Sequence, residues 1–252
     1  MKDLLPIHDV ITQVQEAITV EKRAVIVAPP GAGKTTIIPL KLLDNPNING
    51  QIIILEPRRL AARAAASQMA AILNEKIGET VGFKIKGLTK VSKQTRIVVM
   101  TEGILIRMIQ SDPSLSEVGC IIFDEFHERS INSDLGLALS LQLAEILRSD
   151  LRIIVMSATL DVGSVSDLLD AKSPIISDGR GYHVNCEYLS RPRPKNEKLW
   201  ENFAKLVSDA FEMTEGGILA FLPGEAEIRA TEKLLKEKLP NAAIIMPLYG
   251  SL

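Results

Sequence analysis

The 252-residue chain predicts an α/β protein: a mostly parallel, doubly wound sheet, followed near residue 179 by the first part of a second domain of the same kind. Three observations carry this. Short runs are continuously apolar instead of alternating, as expected of strands covered by helices on both faces. Helical patterns separate the runs, which implies crossover connections. A glycine-bearing loop, APPGAGKTT at 28–36, stands between the first run and a helical segment.

The predicted strands are AVIVA (24–28), IIIL (52–55), RIVVM (96–100), CIIF (120–123), RIIVM (152–156) and PIIS (174–177). Residues 60–73, LAARAAASQMAAIL, are rich in strong helix formers. In 133–147, Leu135, Leu139, Leu143, Ile146 and Leu147 follow helical spacing, with Gln142 the one polar interruption. Residues 178–198 hold two glycines, two prolines and several charges, and read as a domain junction with one short strand at 184–189. Arg191, Arg193 and Lys195 in it read as solvated linker. A helix (197–213), a strand (217–222), a helix (225–238) and a strand (242–248) follow. The expected division is 1–178 and 179–252, with too few elements in the second part for an independent doubly wound domain. Neither internal repeats nor low-complexity tracts are present.

Apolar residues make up 46% and charged residues 24%, the balance of a chain with a real core. The net charge of −2 excludes a global basic field, so contact with a polyanion must be local. Cys120 and Cys186 have neither C-x-x-C nor metal-ligand spacing, and Cys120 reads as a buried thiol suited to a reducing compartment. The first 18 residues, broken by charges and a proline, are no signal peptide, and no apolar stretch reaches membrane-spanning length. The expected address is cytoplasmic.

The loop at 28–36 has P-loop spacing, with Ala28 where the general pattern has glycine. From Pro30 through Gly31, Ala32, Gly33, Lys34, Thr35 and Thr36 it is the candidate nucleotide cradle. Gly31 and Gly33 let successive N–H groups turn toward phosphates, and the following helix aims its positive end there. Lys34 is expected to reach the terminal phosphates and Thr35 to ligate Mg²⁺. Pro39 falls early in that helix and predicts a lost hydrogen bond or a bend.

The heptapeptide FDEFHER (123–129) alone admits a metal site, a general acid/base pair or a charged helix start. Zinc is disfavoured, since His127 and Glu128 are not in an H-E-x-x-H arrangement. With a P-loop upstream, an apolar strand delivers Asp124 as the second acidic ligand of Mg²⁺. Glu125 then orients and deprotonates the attacking water. Five strands end in polar or glycine-bearing clusters: APPGAGKTT, EPRRLAAR (56–63), TEGILIRM (101–108), DEFHER (124–129) and SATLD (157–161). Ligands gather at such strand ends.

These segments, with FLPG (221–224), occur in the order found in DEAH-box superfamily 2 helicases, and the chain resembles the bacterial HrpB type most of all. The resemblance implies two RecA-like domains that clamp ATP and move along nucleic acid, RNA being favoured, either single-stranded or partly duplex. It implies that Lys34, Glu125 and His127 serve catalysis, and that His127 with Ser157 and Thr159 couples the nucleotide to the strand-binding face. Arg58, Thr101 and Gly103 are the implied backbone contacts. Gln68 stands where many members carry an arginine that sandwiches adenine. Against that resemblance, the sequence stops before the family's later second-domain motifs, which carry its arginine fingers. The basic stretch 84–96 reads as an exposed loop and strand edge and is assigned no site. The rival reading is a non-catalytic nucleotide-sensing module that docks a partner. Nothing resembles a transporter signature.

Overall fold

The computed structural model describes residues 5–159, 163–179, 184–190 and 198–249. Two compact units divide at Tyr182/His183. The first holds α1 (Ile11–Val20), β1 (Arg23–Val27), α2 (Lys34–Leu42), β2 (Gln51–Glu56), α3 (Arg59–Ile72), β3 (Val81–Ile85), β4 (Leu88–Lys90), β5 (Ile97–Thr101), α4 (Glu102–Ser111), β6 (Val118–Phe123), α5 (Ile131–Ile146), β7 (Arg152–Ser157), α6 (Gly163–Leu169) and β8 (Ile175–Ile176). The second holds α7 (Leu199–Met213) and α8 (Glu225–Lys238).

One eight-stranded sheet organises the first unit, in the order β4-β3-β5-β2-β6-β7-β1-β8. Every neighbouring pair is parallel except the β3–β4 hairpin. The unbroken apolar runs follow from the two-sided cover. Because side chains alternate across a strand, Ile52 and Ile54 join one core with Ile26, Ile97, Val99, Ile122, Ile154, Met69 and Ile38. Ile53 and Leu55 join the other, with Val25, Val98, Phe123, Val155, Leu105 and Leu137. Each fully buried Ile or Leu contributes about 1.5–3 kcal/mol relative to exposure. Strands buried on both faces are rigid platforms, and their carboxyl ends hold the loops that matter below.

At the opposite rim, β6 passes close to the loop before β2. A Cβ added to Gly119 would lie 2.2 Å from the carbonyl oxygen of Asn49 and 2.9 Å from its carbonyl carbon. Backbone atoms cannot rotate aside as a side chain can. Gly119→Ala is therefore expected to destabilise the chain by about 3 kcal/mol, read as a lower urea midpoint at unchanged m-value.

The hairpin β3–β4 is absent from the sequence reading because Lys84 and Lys86 interrupt its apolar pattern and all three β4 residues are exposed. The expected strands at 184–189, 217–222 and 242–248 are not strands among the described residues. Their composition is right, but a strand exists only where a neighbour completes its ladder. Leu219, Phe221, Ile244, Met246 and Leu248 stay exposed instead. The expected helices 197–213 and 225–238 form as α7 and α8, with α8 carrying the i,i+4 pairs Glu225–Arg229 (2.8 Å) and Glu232–Lys236 (2.6 Å). Arg191, Arg193 and Lys195 lie outside the described residues. Cys120 is buried, and burial pushes its thiol up to about 12. No described helix is long and apolar enough to cross a membrane.

Candidate nucleotide site and strand-end rim

β1 ends at Val27, and the chain then turns through Pro30 and Gly31 into α2. Gly31 (φ +79) and Gly33 (φ +95) take left-handed conformations that side-chain-bearing residues rarely adopt. Gly33 is the N-cap of α2, so Lys34, Thr35 and Thr36 form its first turn and their amides have no helical acceptor apart from the Gly33 carbonyl. Ala28 is fully buried and not left-handed; its N–H donates to the Ser157 carbonyl at 3.0 Å, so glycine is not needed there. Ala32 accepts the Ile7 N–H at 3.2 Å. Pro39 sits inside α2 without ending it; it lacks the N–H that would bond Thr35, and the helix runs on to Leu42.

β6 carries Asp124 to the same rim. The Thr35 hydroxyl donates to Asp124 Oδ2, and the Glu125 amide donates to Asp124 Oδ1 at 2.8 Å. Glu125 takes a left-handed φ of +48, uncommon for a residue with a side chain, which turns it away from Asp124. Its Oε1 pairs with Lys34 Nζ at 2.7 Å, and this lysine is 4% exposed. His127 follows in a short 3-10 turn (Phe126–Glu128). Its Nδ1 lies 3.4 Å from Glu125 Oε2 and accepts the Ala158 N–H at 3.2 Å.

Ala158 belongs to the loop after β7. There Ser157 is buried, and its Oγ accepts the Thr159 N–H at 3.1 Å. The P-loop, the acid pair and this loop are thus joined through Ala28–Ser157 and His127–Ala158. Arg58 is the N-cap of α3 and bonds Glu128 Oε2 at 3.2 Å from an exposed position. Thr101 is the N-cap of α4, but its hydroxyl does not cap the helix. Gly103 faces open space. Gln68 is exposed on α3. The structure therefore brings Lys34, Thr35, Asp124, Glu125, His127, Ser157 and Thr159 into one connected group, with Arg58 tied to it through Glu128.

Two acids escaped the sequence reading. Glu56, last residue of β2, is 3% exposed. Burial pushes its carboxyl up to about 8, and the nearby charges of Asp124 and Glu125 add to this. Burial also raises Asp124, against the pull of Thr35 and Lys34. Glu102 is buried and accepts the Ser130 hydroxyl, while Ser130 caps α5 through the Ser133 N–H at 2.9 Å. That links the start of α4 to the segment after the acid pair. The signals were present: an acid opening EPRR and one inside TEG, each directly after an apolar run.

Among the described residues no three His, Cys, Asp or Glu side chains cluster as a self-sufficient metal site. The donors at hand are a hydroxyl and a carboxylate already in contact, beside the amides of Lys34 and Thr35 at the start of α2. That hard, incomplete oxygen set suits a small divalent cation whose shell is finished by phosphate and water.

A parallel sheet with a glycine-loop-to-helix turn on one strand end and an acid pair on another is a nucleotide-binding domain of the P-loop class. Residues 9–168 match the DEAD/DEAH box helicase family, and the chain belongs to it. It is 43% identical to the ATP-dependent RNA helicase HrpB of Escherichia coli over 98% of its length, covering 30% of that protein. It is 32% identical to the probable ATP-dependent RNA helicase DHR2 of Saccharomyces cerevisiae, spanning all of this chain and 36% of that one. The crystal structure of the E. coli DEAH/RHA helicase HrpB superposes with a TM-score of 0.92 at 43% identity, over 98% of this chain and 31% of that one. The chain thus spans between 19% and 36% of the length of the curated relatives it matches.

Proposed function

We propose that this chain is the ATP-binding portion of a cytoplasmic, ATP-driven RNA helicase. In this reading 1–178 form the RecA-like ATP-binding domain and 179–252 begin the second. The observation that carries the proposal is the meeting of Thr35 with Asp124 and of Lys34 with Glu125 beside Gly31 and Gly33. The amides from Gly31 to Thr36 and the α2 terminus receive the phosphates of ATP. Thr35 and Asp124 would hold Mg²⁺, which when bound neutralises phosphate charge and orients the terminal phosphoryl group.

Without nucleotide, Lys34 neutralises Glu125 and occupies the oxygen that a base needs. Phosphate is the better partner for Lys34. Its transfer there leaves Glu125 able to accept a proton from water. His127, between Glu125 and Ala158, then registers the change at the Ser157–Thr159 loop. Arg58, Thr101 and Gly103 bind the sugar–phosphate backbone and position a strand without reading its sequence. Adenine is held without an arginine at Gln68, so base selectivity is expected to be weak.

The test compares ATP hydrolysis by this chain and by one extended through a complete second domain, each with and without single-stranded RNA. The expected result is ATP binding by both, with RNA-stimulated turnover confined to the longer chain and roughly 10³-fold faster there. Second-domain arginines of the transition-state-stabilising kind are worth about that much. Tight ATP binding with no stimulation in either chain would favour a nucleotide sensor.

A further inference from the structure

The segment before α1 lies outside the group that binds and hydrolyses nucleotide, yet it touches the phosphate loop. Pro6–Val10 form one 3-10 turn, and the first amides of such a turn have no partner within it. Pro6 has no N–H to offer, and the His8 N–H donates to the Leu5 carbonyl at 3.0 Å. The Ile7 N–H instead reaches across the chain and donates to the Ala32 carbonyl at 3.2 Å. Ile7 is fully buried, in the core that also holds Val10, Val14, Ala32 and Ile38, so its amide is held in place from behind.

That bond fixes one peptide plane of the cradle. In a trans peptide the N–H points opposite to the preceding C=O. With the Ala32 carbonyl turned to Ile7, the Gly33 N–H points away from Ile7, and it has no protein acceptor among the described residues. The Ala32 N–H, by contrast, already donates to the Pro29 carbonyl at 3.2 Å. Gly33 cannot hold the plane by itself. Glycine takes positive and negative φ about equally readily, so alone it lets the 32–33 peptide turn over and show a carbonyl to an incoming phosphate. The outer side of the loop is also filled. A Cβ on Gly33 would lie 2.8 Å from Leu5 Cδ1 and 3.2 Å from Ile7 Cγ2.

We propose that Ile7 is a positioning residue for nucleotide binding: its backbone N–H holds the Ala32–Gly33 peptide in the orientation that offers the Gly33 N–H to a phosphate. The inference rests on the reading of 28–36 as the ATP cradle. A loop whose competent orientation is only partly populated binds with an affinity reduced by that fraction. One ordinary hydrogen bond biases such an equilibrium by about fivefold. Linkage makes the effect mutual, so bound nucleotide holds the Ile7 amide more firmly by the same factor.

The test replaces Ile7 by its α-hydroxy analogue in the 252-residue chain, which keeps the side chain and exchanges the N–H for an ester oxygen. Calorimetric titration with MgATP is expected to show an affinity about fivefold weaker. Val14→Ala trims the same core away from the loop. It is expected to lower the urea midpoint and to leave the ATP affinity of the folded chain unchanged. Hydrogen exchange needs no variant: saturating MgATP is expected to slow exchange at the Ile7 amide of the unsubstituted chain about fivefold. ATP binding that the ester leaves at full affinity, or exchange at Ile7 that MgATP does not slow, overturns this inference alone. An affinity loss in Val14→Ala equal to that of the ester also overturns it, because packing would then account for the whole effect. No MgATP binding by the unsubstituted chain brings down the nucleotide reading of the loop as well.

Discussion

Glu125→Gln is expected to lower ATP turnover by at least 10²-fold while leaving ATP affinity equal or higher, with turnover measured in a chain extended through the second domain. A positioned general base contributes about 10²–10⁴-fold, and an amide of the same shape cannot take the proton. Binding behaves differently because of the pair seen here. Lys34 is 4% exposed and held by Glu125 at 2.7 Å. Removing the carboxylate charge leaves that buried ammonium without its counter-ion, which destabilises the nucleotide-free state. Phosphate oxygens then become the partner Lys34 lacks, so affinity does not fall. The unusual backbone of Glu125 (φ +48) is kept, since Gln has the same length and branching. Loss of nucleotide affinity along with turnover would show that Glu125 organises the cradle instead of activating water.

The parts of this site that were legible in the sequence are those fixed by local chemistry. Gly31 and Gly33 announce a left-handed turn, and an apolar run before Asp124 announces a strand end; both hold with the expected bounds within a few residues. The group Lys34, Thr35, Asp124 and Glu125 could be named because a phosphate loop demands acids at a second strand end of the same sheet, here β6, one strand removed from β1. Glu56 could not be found that way. Its importance comes from β2 lying beside β6 in the sheet, which periodicity does not state. In the second unit the apolar patterns at 217–222 and 242–248 were read correctly as composition, but no ladder partner among the described residues makes strands of them. Pattern specifies what a segment can bury, and the neighbouring strands decide whether it does.

The second large effect concerns pH. Glu56 is 3% exposed, and burial, then the charges of Asp124 and Glu125, push it from the usual 4.5 up to about 8. An acid whose folded-state value is raised binds its proton more tightly in the folded chain. Its contribution to stability is therefore complete below the unfolded value, and is lost as pH climbs from 4.5 through about 8. Each unit of such a difference corresponds to about 1.4 kcal/mol, so the loss across the window amounts to a few kcal/mol, on the order of a third of a typical domain's stability. Glu56→Gln keeps the shape and removes the charge. The nucleotide-free variant is expected to match the unsubstituted chain near pH 5 and to exceed it in urea midpoint by pH 9. A midpoint difference that stays constant between those two pH values would mean that Glu56 is ionised in the folded chain throughout. In that case the acid cluster at the end of β2 and β6 would have to be balanced by Lys34 alone. A bound divalent cation favours the ionised carboxylates, so magnesium with nucleotide is expected to flatten the pH slope of the unsubstituted chain while leaving that of Glu56→Gln nearly unchanged.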